Sequence, residues 1–245
     1  NRKFWVAGSR NVNSGGLDSP GMLAEFDLTN EIFTNESFVQ TDLPAFSGNC
    51  VVEENNDLLM VSGNTGGALT SLNRTTQVLD IKKSEDGLKY LSKDNGKLIM
   101  LKQGNPSSEL QVFNLPATSF GSPVNTIQVG PITPADGKNV AYLKDDYAYV
   151  ATGSEGLKVF DVNTSSSTPV HNYNSTLPGL VNGVSTDAEY VYIANGESGL
   201  HILDKSDFSF FGNYSYTGSA NFTAADNDFI FVANGIGGIK IIRKD

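Results

Sequence analysis

The chain has 245 residues, of which 39% are apolar and 18% charged, with a formal net charge of −10 and a pI of about 4.6. So acidic a chain, with no Lys/Arg stripe, repels a phosphate backbone, which excludes nucleic acid as the expected partner. No apolar run reaches the ~18 residues of a membrane helix, and the single cysteine, Cys50, excludes an intrachain disulfide.

Taken in chain order, the sequence is a series of short strands joined by turns. The first predicted hairpin, near residues 4–28, pairs Phe4-Trp5-Val6-Ala7-Gly8 with Met22 to Asp27 across a long loop. The second and third lie near 58–73 and 97–115, each with the same strand-turn-strand shape. Three clearer copies follow, near 139–162, 182–205 and 221–244, carrying Gly156-Leu157-Lys158-Val159, Gly199-Leu200-His201-Ile202 and Gly238-Ile239-Lys240-Ile241.

The matching glycines Gly156, Gly199 and Gly238 lie 43 and 39 residues apart. A period of about 40 residues built from strands predicts an all-β fold, a β-propeller, here with six blades of up to four antiparallel strands in one domain over 1–245. Residues 139–174 predict a whole blade: Asn139–Lys144 innermost, then Tyr147–Ala151, Leu157–Val162 and an outer strand around Val170–Tyr173. By the same alignment the first unit begins at a second strand and the last stops at a third. Asn, Asp and Gly in the first turn of each blade, such as Asp145-Asp146 and Asp187-Ala188-Glu189, tolerate the left-handed backbone of tight hairpins. Turn formation accounts for these acids better than calcium ligation, which needs a denser spacing.

The hairpins ending in Gly-Leu-x-Val, each preceded by an aromatic-Val/Ile-Ala-x-Gly strand, resemble the LVIVD repeat of bacterial and archaeal surface propellers. The likeness is good over residues 139–245. Over residues 1–115 the hairpin is kept without the Gly-Leu-x-Val core. It implies export to a bacterial cell surface or the periplasm, with a lipid anchor on a segment upstream of Asn1. It implies no shared activity, cofactor or catalytic set.

No catalytic motif stands out. His171 and His201 fall in different blades, Cys50 reads as a buried thiol, and no metal site or cofactor is expected. Eleven positions before Val150, Ile193 and Val232 stand Asn139, Asn182 and Asn221; earlier blades place Asn49, beside Cys50, and Tyr90 there. These residues begin the inner strands. Their amides can satisfy their own loops, or converge at a channel mouth on a polar ligand, an unknown glycan, peptide or surface protein. Arg10, Glu155 and Glu197, on loops opening toward that mouth, complete the candidate ligand-binding set. Glu155 and Glu197 occupy neighbouring places in adjacent blades, and paired carboxylates can process a glycan. The late aromatic cluster, Phe208, Phe210, Phe211, Tyr214 and Tyr216, is expected to fill the gap between blades five and six with alternate rings inward. A binding or interaction module is thus the expected function. A surface glycan-processing enzyme and a purely structural propeller are the alternatives.

Overall fold

The computed structural model describes residues 3–9, 21–27, 38–63, 67–104, 106–117, 119–132, 139–174 and 178–244. They form six antiparallel sheets in chain order. The first holds β1 (Lys3–Ser9), β2 (Gly21–Asp27) and β3 (Phe38–Asp42). The second holds β4 (Ser47–Glu54), β5 (Asp57–Gly63), β6 (Ala68–Asn73) and β7 (Leu79–Ser84). The third is β8 (Leu88–Asp94), β9 (Lys97–Lys102), β10 (Ser108–Asn114) and β11 (Asn125–Gly130). The fourth is β12 (Ala141–Lys144), β13 (Tyr147–Ala151), β14 (Leu157–Asp161) and β15 (His171–Tyr173). The fifth is β16 (Gly183–Thr186), β17 (Tyr190–Ala194), β18 (Leu200–Asp204) and β19 (Phe210–Tyr214). The sixth stops at three strands, β20 (Phe222–Ala225), β21 (Phe229–Ala233) and β22 (Ile239–Arg243). Sheets of three or four strands, each in simple up-and-down order, are the blades of a β-propeller.

Phe4 to Gly8 lies on β1, the counterpart of β13 and β17, so among the described residues the first sheet has no strand before its second and the sixth has none after its third.

The chain forms two compact units, residues 1–91 with 100–102 and 116–123, and residues 92–99, 103–115 and 124–245. In the first, Leu23, Leu43, Leu58, Met60 and Leu72 are buried together, with Trp5 packed against them. The Trp5 indole donates to Glu25 at 2.9 Å, so its polar edge is satisfied where the ring is half-buried. In the second unit, Tyr149, Leu157 and Val159 of the fourth sheet interdigitate with Val184, Val191 and Ile193 of the fifth. Tyr192, Ala194 and Leu200 of the fifth meet Ile230, Val232 and Ile242 of the sixth in the same way. The period of two in each strand therefore serves both faces, one against the preceding sheet and one against the following one.

The turns behave as their chemistry predicts. Asn55, Asn95, Asp145 and Asp146 take φ of 53°, 46°, 51° and 65°. The carboxylates of Asp187 and Asp226 accept backbone N–H groups of their own turns, from Glu189 and Tyr190 and from Asp228 and Phe229, at 2.7–2.9 Å.

Candidate functional site

Asn139, Asn182 and Asn221 lie just before β12, β16 and β20. In the second unit, Asn182 Nδ2 donates to the Ala220 carbonyl at 2.8 Å and approaches Asn221 Oδ1 at 3.4 Å. The backbone N–H of Val140 reaches the Asn182 carbonyl at 3.3 Å. Asn139 is fully buried, with φ of 55°, while Asn221 is half-buried and also accepts from Ser219. The structure thus brings Asn182 and Asn221 together, and spends the Asn182 amide on fastening one first strand to the next.

In the first unit Asn49 plays the same part, donating to the Leu88 carbonyl at 3.3 Å. Tyr90 is hydrogen-bonded to Cys50, whose thiol also donates to the Leu91 carbonyl at 3.3 Å. Burial pushes the Cys50 thiol up to about 11, against the lowering effect of those bonds, so it is a protonated, inert group at neutral pH. Burial likewise raises the Tyr90 phenol. Glu155 and Glu197 are both exposed, in the corresponding turns β13–β14 and β17–β18. Glu155 lies 3.8 Å from Lys158. Arg10 lies outside the described residues.

Both histidines are held by aromatic neighbours. The Tyr173 hydroxyl pairs with His201 Nδ1 at 3.1 Å, and His171 stacks on Phe208 with ring centroids 4.1 Å apart. Burial lowers the pKa of each, which keeps the rings neutral near pH 7. Among the described residues no three His, Cys, Asp or Glu side chains gather as metal ligands.

A groove of about 600 Å³ between the fifth and sixth sheets, wholly within the second unit, was not legible in the sequence. Tyr190, Ile202, Phe211, Tyr214, Ile230 and Ile242 form its walls, and Asp187, Asp226, Arg243 and Lys244 line the end where the turns lie. Phe211 is 64% exposed and Tyr214 56% exposed, both on the edge strand β19. The expected alternation of the late aromatics is broken there. Phe208 packs against the core between the fourth and fifth sheets and Tyr216 against that between the fifth and sixth, while at a bulge opposite Ile202/Leu203 Phe210 lies against His201 and Phe211 against Tyr190, both more than half exposed.

The charged end of the groove is rigidly built. Lys244 Nζ lies 2.5 Å from Asp187 Oδ2 and 5.2 Å from the centroid of the Tyr192 ring, and the Tyr192 hydroxyl donates to the same carboxylate at 2.6 Å. Burial acts to raise the Asp187 pKa. The bonds from Lys244, Tyr192 and the backbone of Tyr190 and Glu189 outweigh it and hold the carboxyl at about 2. The only sequence signal for this cluster was that Asp187, Asp226 and Asp145 recur in the same turn.

Residues 136–175 and 178–215, the fourth and fifth sheets, match the family model of the LVIVD repeat. The chain carries LVIVD repeats. The sixth sheet continues their pattern in Gly238-Ile239-Lys240-Ile241. No curated protein matches the chain in sequence. In three dimensions it is similar to the Dos1 propeller, at 10% identity and a TM-score of 0.68 over 91% of this chain and 62% of that one. The WD40 β-propeller domain of Doa1 is similar at 14% identity and a TM-score of 0.62, over 80% of this chain and 64% of that one. A chain of the Mitotic Checkpoint Complex gives 10% and 0.68, over 92% and 71%. This chain spans less than two thirds of the Dos1 and Doa1 propellers. Identities this low speak to the fold alone. A propeller with LVIVD repeats suggests a protein-interaction module. No helix among the described residues is long and apolar enough to cross a membrane.

Proposed function

We propose that this protein is an exported, surface-associated binding module that engages a protein partner through the groove between its fifth and sixth sheets. The observation that carries this is the pairing of exposed aromatic rings, Phe211 and Tyr214, with a fixed charged cluster, Asp187 and Lys244, around one concave space. Rigid aromatic anchors beside a charged rim are what protein recognition sites concentrate. The groove carries this function better than the amide row, where Asn182 is occupied in joining strands and Asn139 is fully buried. Export and attachment rest on the resemblance of the LVIVD repeats to surface propellers.

The test uses the chain as bait against bacterial surface fractions, beside a Phe211→Ser, Tyr214→Ser double variant. Both rings are more than half exposed, so the variant should melt within a few degrees of the parent. A partner held by the parent and lost by the variant supports the groove. Equal capture by both would remove it.

A further inference from the structure

The chain has two histidines, His171 and His201, and both lie at the junction of the fourth and fifth sheets. His171 and Tyr173 are alternate residues of β15. Their register partners Val159 and Leu157 turn toward the fifth sheet, so both side chains face that way. The Tyr173 hydroxyl lies 3.1 Å from His201 Nδ1 on β18, and His171 stacks on Phe208 of the β18–β19 turn with centroids 4.1 Å apart. Phe208 holds φ of 58°, a left-handed backbone that costs an aromatic residue energy and is kept by what packs on it. β15 has three residues against five in β18 and in β19, so it is the strand that a disturbed junction releases first.

His201 is fully buried, with both ring nitrogens engaged. Asn195 Nδ2 lies 3.4 Å from Nε2, and Asn195 Oδ1 is buried with no hydrogen-bond partner among the described residues. With Asn195 donating to Nε2, the one ring proton sits on Nδ1 and is donated to the Tyr173 oxygen. A second proton goes on Nε2 and points at the Asn195 N–H. It stays only if the amide turns over; otherwise the ring leaves its seat. The groups facing His201 are Tyr173 from β15, Phe210 from β19, edge-on at 5.9 Å between centroids, and Asn195 from the β17–β18 turn, where Glu197 is exposed. Around His171, the β18–β19 turn carries Asp204, Lys205 and Asp207, which are bonded to Ser206, Asp145 and Ser209. On the fourth sheet, Tyr142 and Tyr149 are phenols that burial keeps protonated, and Lys158 reaches the Val129 carbonyl on the far face. Burial, with no charged partner, is what lowers both histidines.

We propose that the junction of the fourth and fifth sheets is a proton-operated joint, in which protonation of His201 and His171 releases β15 from the fifth sheet in mild acid. The sign follows from linkage. A ring whose folded pKa lies below its unfolded value of about 6.5 stabilises the closed joint fully above that pH, and the contribution is lost as pH falls toward the folded value. Unperturbed carboxylates titrate lower, near pH 4, so the response in this window belongs to the histidines. The release is local, because the core between the fifth and sixth sheets, built on Tyr192, Leu200, Ile230 and Val232, includes neither ring. It does not depend on the groove holding a partner.

The test follows amide exchange of the intact chain from about pH 7.5 to about pH 5, corrected for the intrinsic pH dependence of exchange. The Val170 N–H, donated to the Val159 carbonyl at 2.8 Å, reports on β15, and the Phe208 N–H, donated to Asp204 at 2.8 Å, reports on the turn. The Asn221 N–H, donated to Ala233 at 2.8 Å, is the reference in the sixth sheet. Protection at Val170 and Phe208 should fall by up to about tenfold per pH unit below pH 6.5 for each ring exposed, with Asn221 unchanged. His201→Gln, neutral at every pH, should reduce that slope, and the double variant with His171→Gln should flatten it. Protection that holds across the window means that the amide turns to keep the proton, and overturns the joint. An equal fall at Asn221 is global acid unfolding and also overturns it, as does an unchanged slope in the double variant. The ring signals of the parent give a check that needs no variant: a His201 pKa below 6.5 in the folded chain supports the joint, and one at or above 6.5 overturns it.

Discussion

Replacing Asp187 by Asn removes the charge at the end of the groove while keeping an oxygen for the turn N–H groups of Glu189 and Tyr190. What is lost is the ion pair with Lys244 and the charge on the acceptor of the Tyr192 hydroxyl. The carboxyl is held at about 2, well below the 3.8 of a free aspartate, which corresponds to roughly 2 kcal/mol. The Asp187 side chain is 24% exposed, so solvent screening brings the expected loss to about 1–2 kcal/mol. Its sign follows from linkage. A folded-state pKa below the unfolded one means the stabilisation is complete above about pH 4 to 5 and is lost as pH falls toward about 2. Urea unfolding of parent and Asp187→Asn, followed through amide signals of β17 and β21, measures the difference directly, because the other carboxylates titrate alike in both. The parent should be more stable by about 1–2 kcal/mol at pH 7, with the gap closing between about pH 4 and pH 2. A gap that does not change with pH would refute the electrostatic origin.

Three further outcomes follow from the packing. Gly199→Ala should cost about 3 kcal/mol or more, because the new methyl meets the Tyr214 backbone, whereas Gly238→Ala should cost only the backbone strain of about 1–2 kcal/mol. Equal losses of thermal stability would contradict the difference in crowding at the two glycines. Thr223→Val should cost about 2 kcal/mol, since the buried Thr223 hydroxyl accepts from Ser185 and donates to the Tyr192 carbonyl. Adding Ser185→Ala should cost less than its single-variant loss, and full additivity in denaturant unfolding would refute the coupling. Cys50, with its thiol raised to about 11, should react with a disulfide reagent at neutral pH only at the rate of opening, so labelling faster than exchange at Leu91 would contradict its burial.

Much of the fold was legible because glycine, asparagine and alternating apolar residues each have one local meaning here. Gly156, Gly199 and Gly238 located the turns. Sequence could not say that the Asn182 amide reaches the next strand's backbone, a contact set by sheet spacing. The groove was hidden for a different reason. Phe211 and Tyr214 read as rings that fill the gap between sheets, yet they are 64% and 56% exposed, because burial depends on what lies opposite a strand and not on the strand itself. The bulge in β19 left no sequence mark that separates Phe211 from a buried ring.

The most direct measurement of where a partner sits is amide exchange across the intact chain, alone and saturated with a protein captured by the parent bait and lost with Phe211→Ser, Tyr214→Ser. Engagement at the groove predicts new protection at Phe210–Tyr214 and Ile239–Arg243, with Val140, Asn182 and Asn221 unchanged. Protection at Val140, Asn182 and Asn221 with the groove unchanged would contradict it and place the partner on the amide row.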